Sequence, residues 1–238
     1  MLLALDTATR QAGLALYDGQ MVRAETTWQA GRYHTEWLAP AIHDALGRIR
    51  ATVEDLSAVA VTVGPGSFTG LRVAMSLAKG IAAARELPII GIETLDVTAY
   101  SHVESGFALC ATLAAGRGRH AYAFYGTDAT CTALNGTPIA VSYMADLVKA
   151  IAEYESQKGL WVIGEFTPDE RQYLCEHLPV PEQVRIVPPA LTVRRPAALA
   201  ELAWLRLIKG DVDDLHTLEP IYINVTKAST YSKISSKT

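Results

Sequence analysis

The sequence predicts an α/β protein built from two lobes, each a mixed β-sheet covered by helices. Three short apolar segments open the chain with the spacing of an antiparallel meander, and helical and strand patterns then alternate up to about residue 100. A weaker repetition of the same order fills the second half. With 238 residues, 50% of them hydrophobic, the chain is long enough to bury the core that such a fold needs.

The first half of the chain carries the more regular pattern. Its apolar segments predict strands, Asp18-Gly19 is a tight-turn signal, and apolar residues at helical spacing predict helices. The predicted elements, in order, are strands at 2–5, 13–17 and 21–28, a helix at 38–49, a strand at 56–63, a helix at 71–85, a strand at 88–92 and a helix from about 94. Antiparallel strands followed by right-handed crossovers leave few topologies. This order favours the ribonuclease-H-like (ASKHA) fold of actin and the sugar kinases.

The second half repeats this order less clearly. Its predicted elements are strands at 108–113 and 120–125, a helix at 142–154, a strand at 160–163, a helix at 168–177, a strand at 184–187 and an amphipathic helix at 196–209. We therefore expect a first lobe over 1–103 and a more divergent second lobe over 104–195. In two-lobed actin-like proteins such a final helix, here about 196–210, packs back on the first lobe. Residues 226–238 are predicted to form a loose polar tail.

Composition limits the kinds of partner and compartment. The chain has 21 basic and 25 acidic residues and a net charge of −4, which is unfavourable for gripping nucleic acid alone. Cys110, Cys131 and Cys175 form no CxxC pair, so we expect free thiols in a reducing compartment. No apolar run has the length of a signal-peptide core or a membrane span. The sequence predicts a cytoplasmic protein with no membrane partner.

The segment GPGSFTGLR at 64–72 is the most distinctive in the chain. It joins a predicted buried strand to a helix, and Ser67 and Thr69 can cap exposed N–H groups there. Amides and a helix dipole directed at such a turn can hold an anion, although the Gly-Lys-Ser/Thr ending of a phosphate loop is absent. A purely structural turn is the alternative. Phe68, a bulky aromatic residue in a glycine-rich loop, favours a role in recognition.

Asp6 ends the first predicted strand, where actin-like ATPases place a metal-linked acid beside a glycine-containing phosphate turn. The residues that follow it, 7–10, contain no glycine, so this backbone is less free to wrap a phosphate. The weak anion-site candidates are Asp6, Thr7, Gly66, Ser67 and Thr69. We predict no resident cofactor, and nucleotide binding at most in an assembled complex.

No group of residues has the pattern of a catalytic or metal site. His34 and His43 are nine positions apart, so on a helix they face different directions and form no HxxxH pair. No GxSxG motif marks a nucleophile, and no cysteine has a catalytic setting. We predict neither catalytic nor metal-binding residues.

Small residues are concentrated on the predicted helix at 71–85, which contains five alanines and Gly80. Small side chains let a neighbouring backbone approach closely. Together with Trp37, Leu38 and Ile42 on the preceding helix, this face suits an inter-subunit helix bundle. Packing of the helix against the protein's own sheet is the alternative interpretation.

Four segments resemble the TsaB (YeaZ) family, whose members are paralogues of the threonylcarbamoyltransferase TsaD. They are LALDTATRQAGLALYDG at 3–19, RYHTEWLAPAIHDAL at 32–46, VTVGPGSFTGLRVAMSLAKGIA at 61–82 and PIIGIETLD at 88–96. Beyond residue 100 only the outline is similar, together with PIYIN at 220–224. One departure lies at 115–122, where Ala115 and His120 replace two acids that are common in the family.

The resemblance implies a non-catalytic scaffold subunit in the threonylcarbamoyladenosine (t6A) modification of tRNA, at the adenosine next to the anticodon. It implies a heterodimer with TsaD through the first-lobe helices, joint work with the small ATPase TsaE, and contact with tRNA through the complex. We further expect a homodimer in isolation, because the same apolar helix faces can pair with themselves. The expected interface residues are His34, Trp37, Leu38, Ile42, Phe68, Arg72, Met75 and Lys79.

Two other classes of protein are alternatives. An actin-like small-molecule kinase would require robust nucleotide binding by this chain alone. An M22-type glycopeptidase, a metalloprotease, would require a bound metal, for which the sequence offers no ligand pair.

Overall fold

The chain forms two compact units in a computed structural model that describes residues 1–31, 34–179 and 183–222. The first unit comprises Met1–Val97 and Arg194–Tyr222, and the second comprises the described part of Thr98–Val193. The predicted tail at 226–238 lies outside the described residues.

The first unit is built on a five-stranded mixed sheet. Its strands are β1 (Leu2–Asp6), β2 (Gln11–Tyr17), β3 (Val22–Gln29), β4 (Ala58–Gly64) and β5 (Ile89–Glu93). They lie in the order β3-β2-β1-β4-β5, with antiparallel pairing among β1, β2 and β3 and parallel pairing among β1, β4 and β5. Strands β1, β2 and β4 are buried along their whole length, as expected for nearly all-apolar strands covered on both faces.

The second unit has a sheet of the same topology. Its strands are β6 (Ala108–Gly116), β7 (Arg119–Tyr125), β8 (Ala140–Tyr143), β9 (Leu160–Gly164) and β10 (Val184–Ile186). Their order is β10-β9-β6-β7-β8, with β6, β7 and β8 antiparallel and β6, β9 and β10 parallel. Strand by strand, β6 to β10 therefore repeat the arrangement of β1 to β5, and the predicted two-lobed α/β fold is confirmed.

Helices cover the sheets. The α-helices are α1 (His34–Arg48), α2 (Phe68–Arg85), α3 (Thr94–Tyr100), α4 (Met144–Glu153), α5 (Pro168–His177) and α6 (Pro196–Leu207). In the first unit α1 and α2 pack over Leu3 and Leu5 of β1. Helix α6 packs across β1 and β2, on the face to which strand alternation directs Ala4 and Asp6. The sheet is thus covered on both sides within its own unit.

Several predicted helix boundaries differ from the observed ones; α1, for example, begins at His34 rather than at 38, and α6 ends at Leu207 rather than at 209. Helix α2 begins at Phe68 rather than at 71, because the Ser67 hydroxyl accepts the Gly70 N–H at 3.3 Å and makes Ser67 the N-cap. The helix predicted at 142–154 begins at Met144, because the four preceding residues form β8 and pair with β7. Strand β8 was not predicted.

After α6 the chain continues as a segment, here called the C-terminal strap (residues 208–222), along the first unit. The Asp213 N–H donates to the Ile89 carbonyl at 3.0 Å, and its carboxylate accepts the Gly91 N–H at 2.7 Å. Further along, the Ile221 N–H donates to the Val63 carbonyl at 2.6 Å. The strap is therefore fixed by backbone groups of β4 and β5.

Across the described ranges, no helix combines the length and the apolar character that crossing a membrane requires.

Candidate functional site

The turn after β1 is held by a buried network around Asp6. One carboxylate oxygen of Asp6, Oδ1, accepts the Ala8 N–H at 2.9 Å and the Thr62 hydroxyl at 3.0 Å. The other, Oδ2, accepts Arg194 Nε at 2.5 Å. Asp6 is 2% exposed and Arg194 is 4% exposed, so this ion pair lies in the interior of the first unit.

The glycine-rich segment 64–72 lies directly against that turn. The Ser67 N–H donates to the Ala8 carbonyl at 2.6 Å, and the Thr7 hydroxyl donates to the Gly70 carbonyl at 2.6 Å. A Cβ atom on Gly66 would lie 2.3 Å from the Ala8 oxygen, and one on Gly70 would lie 2.0 Å from the Thr7 oxygen. Both glycines are therefore required by the close approach of two backbone segments.

The five anion-site candidates have different surroundings. Asp6 and Thr7 are buried and bonded to protein groups, and Gly66 is packed on the neighbouring backbone. Ser67 and Thr69 are exposed, and the Ser67 hydroxyl caps α2. The structure brings the five residues together around one turn. Anion binding at that turn stays a prediction.

A groove lies along α1 and α2 on the surface of the first unit. It encloses about 650 Å³. Its lining is mostly apolar and contains one charged residue; the lining residues are Leu38, Ala39, Phe68, Thr69, Arg72, Val73, Ser76 and Leu77. Phe68 is 54% exposed, and Trp37 on α1 is 45% exposed. Large side chains left in water in this way are favourable to bury against another surface.

Three predicted interface residues are core residues, although one of them, Leu38, also lines the groove. Leu38, Ile42 and Met75 are at most 5% exposed and belong to the core between the sheet and the two helices. They were expected at an interface because helical spacing alone cannot tell a core-facing stripe from a partner-facing one. A charge at Leu38 or Met75 would disrupt the fold as well as any interface.

The remaining expected interface residues have mixed positions. Trp37, Phe68 and Arg72 are exposed. Lys79 is half-buried and donates to the His216 carbonyl of the strap at 3.3 Å. The side chain of His34 lies outside the described residues.

Phe68 belongs to an aromatic corner that local sequence did not predict. Its ring centroid is 5.1 Å from that of Tyr222 at the end of the strap, and the Arg72 guanidinium carbon lies 4.0 Å above it. Arg72 Nε also donates to the Tyr222 hydroxyl at 3.0 Å. These contacts fix the orientation of Phe68 at the end of the groove. Tyr222 is 150 residues from Arg72, so no local pattern indicates the pair.

The small residues of α2 are divided between a buried and an exposed side of the helix, and their use in an inter-subunit bundle stays a prediction. Ala74, Ala78 and Ala82 are buried against the protein's own core. Gly80, Ala83, Ala84 and Ser76 are exposed. A Cβ atom on Gly80 would meet nothing within 4 Å. One side of α2 therefore packs on the sheet, and the other presents small side chains to solvent.

In the second unit, His120 forms a hydrogen bond with Glu170 at the start of α5. His120 is 1% exposed, and its Nε2 lies 3.1 Å from Glu170 Oε1. Glu170 also accepts the Thr167 N–H at 2.8 Å, and its own N–H donates to the Thr167 hydroxyl at 3.3 Å, as in a capping box. Partial burial raises the pKa of Glu170, but bonds from Thr167 and the proximity of His120 outweigh it and hold that pKa below its ordinary value. The carboxylate beside His120 thus comes from a helix 50 residues away.

Among the described residues, no three His, Cys, Asp or Glu side chains are grouped so that they could hold a metal ion. His43 is exposed on α1.

Two mixed sheets of one topology, each with its helices, define the class of protein as two-lobed and actin-like. The solved structure of YeaZ from Pseudomonas aeruginosa has a TM-score of 0.74 at 21% sequence identity, over 93% of this chain and 99% of that one. The ethanolamine utilization protein EutJ from Carboxydothermus hydrogenoformans has a TM-score of 0.50 at 11% identity, over 84% and 89% of the two chains. These likenesses support the fold.

Sequence comparison gives the family. The family model of TsaD, tRNA N6-adenosine threonylcarbamoyltransferase, matches residues 28–183, more than half of the chain, so the chain belongs to this family. The TsaB protein of Escherichia coli is 39% identical over 94 residues, which are 40% of this chain and 40% of that protein. Its Bacillus subtilis counterpart is 35% identical over 98 residues, 41% and 43% of the two chains. The alignments thus span about two fifths of the curated relatives' length. The predicted resemblance to TsaB is confirmed by these matches.

Proposed function

We propose that this chain is a scaffold subunit in t6A biosynthesis and that it binds a TsaD homologue through the groove along α1 and α2. The E. coli and B. subtilis relatives carry the name tRNA threonylcarbamoyladenosine biosynthesis protein. The observation that carries the proposal is the exposed apolar groove. It lies on helices whose sequences, within 32–46 and 61–82, resemble the TsaB family.

The surface of the groove suits a helix as its partner. Phe68 and Leu77 offer apolar area in the groove. Ser76 in the groove, and the exposed Gly80 one helical turn further along α2, present little side-chain bulk. A partner helix can therefore approach α2 closely while it covers Phe68. Since Arg72 and Tyr222 already hold Phe68 in place, little side-chain entropy is lost on binding.

In this proposal the subunit is not catalytic, and the partner carries the chemistry. TsaE acts on the assembled complex, and tRNA is held mainly by the other subunits, because a chain with a net charge of −4 is a poor binder of phosphate by itself. In isolation the same groove pairs two copies of the chain. The homodimer and the heterodimer then compete for one surface.

The test is size-exclusion chromatography with light scattering of the full chain, alone and mixed with the TsaD homologue of the same organism. We expect a one-to-one complex, and we expect Ser76→Arg to abolish it because the long charged side chain blocks the approach to α2. Ala152→Arg, at an exposed alanine of α4, is the matched control and leaves the complex intact. Both variants keep the wild-type melting temperature, since neither position is buried.

Failure to form a complex under any nucleotide or tRNA condition would contradict the proposal. If Ser76→Arg still forms the complex, the TsaD homologue remains the partner but binds a surface other than the groove. The two alternative classes have their own readouts on the isolated chain. Tight binding of ATP would favour a small-molecule kinase, and stoichiometric metal in the purified protein would favour a glycopeptidase.

A further inference from the structure

The turn after β1 does not fit the group that the fold class implies there. Actin-like ATPases use the acid at the end of this strand to hold a metal-linked nucleotide. Here that acid is Asp6, and both of its oxygens already bond protein groups, Ala8 and Thr62 on one side and Arg194 on the other. A metal ion linked to Asp6 would have to displace the Arg194 guanidinium from the buried pair.

Arg194 bonds a set of oxygen atoms around this turn. Besides Asp6, its Nη2 donates to the Thr9 hydroxyl at 3.0 Å and to the Gln11 carbonyl at 3.4 Å. Its backbone N–H donates to Gln11 Oε1 at 3.1 Å, and its carbonyl accepts Gln11 Nε2 at 3.2 Å. Carboxylate, hydroxyl and carbonyl oxygens are the atoms that a hard divalent cation prefers. The guanidinium thus takes the contacts that such an ion would make.

We propose that Arg194 is a built-in cation that holds the Asp6 turn in place of a metal-bound phosphate group. The first unit consequently keeps this turn closed without nucleotide and without a divalent metal. This inference does not rest on the proposed function in t6A biosynthesis. It concerns the folded state of the chain itself.

The position of Arg194 in the chain explains how the cation is supplied. It is the residue at which the chain re-enters the first unit, two positions before α6 begins. The next residue, Arg195, pairs with Glu25 of β3 through its Nε at 3.0 Å, and Glu25 also accepts the Ala197 N–H at 2.9 Å. Two successive arginines therefore fasten the start of α6 to two carboxylates of the sheet.

Thermal unfolding of the full chain tests the proposal. Arg194→Met strands a buried carboxylate, and we expect the melting temperature to fall by roughly 10 °C. The double variant Asp6→Asn/Arg194→Met no longer holds an unpaired charge, so it should fall by about half as much. Arg195→Met is the matched control; its partner Glu25 keeps the Ala197 bond and the arginine side chain is 56% exposed, so the change should be small.

A second arm addresses the metal directly. With millimolar Mg²⁺ and ATP, the wild-type melting temperature should stay unchanged, because the site is already filled by Arg194. A rise in the wild type that is lost in Asp6→Asn would overturn the proposal, since it would show that metal and nucleotide reach Asp6 despite the arginine. Equal losses in the single and double Arg194 variants would overturn it as well. If Arg194→Met does not fold, a folded double variant would still support the proposal, because only the unpaired carboxylate distinguishes the two, whereas a double variant that fails to fold while Asp6→Asn folds would overturn it.

Discussion

At the scale of single residues, three glycines differ in the space around them. Gly66 and Gly70 allow the glycine-rich segment to contact the turn after β1, whereas Gly80 on the same helix as Gly70 faces solvent. Sequence alone marks all three as breakers of a regular pattern. The difference arises from the backbone of Thr7 and Ala8, which lies far earlier in the chain and contacts Gly70 and Gly66 but not Gly80.

Two alanine substitutions on α2 should therefore have opposite effects. Gly70→Ala should lower the free energy of unfolding by about 3 kcal/mol, because the new methyl group would overlap the Thr7 carbonyl oxygen. Gly80→Ala should raise it by up to about 1 kcal/mol, because alanine is the better helix former and the added atom meets nothing. Urea denaturation of both variants measures the two changes. Equal effects would show that the backbones do not meet at Gly70 as described.

The buried ion pair shows which part of the site sequence can predict. Asp6 was singled out correctly as the acid that ends the first strand, because a polar residue closing an apolar run is a local signal. Its partner Arg194 lies 188 positions away and follows no local pattern, so it was missed. Pairing across such a separation depends on the whole topology.

At the scale of elements, agreement between prediction and structure follows the strength of the local signals. Helix α5 was predicted with both of its observed ends, since Thr167 and Pro168 mark its start and Leu178-Pro179 follows its end. Strand β8 has four residues at the edge of a sheet and leads directly into α4, so its last two residues were predicted as part of that helix. Short edge strands gain their pairing from the neighbouring strand rather than from their own sequence.

The capping box of α5 makes stability depend on pH in a defined direction. The folded-state pKa of Glu170 is below its ordinary value of 4.5, so the unfolded chain binds the proton more readily. The stabilisation is therefore present above about pH 5 and is lost in the acidic window below it, as the pH falls through the folded-state pKa.

Substitution of Glu170 isolates that contribution. In Glu170→Gln the unfolding free energy should decline less steeply over this window than in the wild type, as measured by urea denaturation at several pH values. Glu176→Gln, an exposed position on the same helix, should retain the wild-type slope. An unchanged slope in Glu170→Gln would mean that Thr167 and His120 do not favour the charged carboxylate.

At the scale of the whole molecule, both sheets have the same strand order. The central strand of each sheet was the easiest part to predict. Strands β1 and β6 occupy the middle of their sheets, with hydrogen-bonded neighbours on both sides. Their apolar runs were recognised, as were the short runs of β9 and β10. The contacts among Arg72, Phe68 and Tyr222 at the groove were not predicted, because they join a helix of the first half to the strap that follows α6.

Native-state hydrogen exchange should reproduce this arrangement. We expect the backbone amides of β1 and β6 to exchange most slowly within their units, because they are buried and paired on both sides. Amides of the edge strands β3, β8 and β10 should exchange faster. If β3 were protected from exchange as strongly as β1, it would not be a free edge strand of the first sheet, and a partner chain that covers it would be indicated.

The first unit is made of two separate stretches of the chain, and this affects the order in which the two units can fold during translation. Residues 98–193, the entire second unit as described, are synthesised between the two parts of the first. When they emerge, β1 and β2 already exist, but α6 does not, and Asp6 still lacks Arg194. The second unit can thus complete its fold during translation, while the first must wait for its last segment. A nascent chain stalled before residue 194 would expose one face of the first sheet, an apolar surface of the kind that chaperones bind.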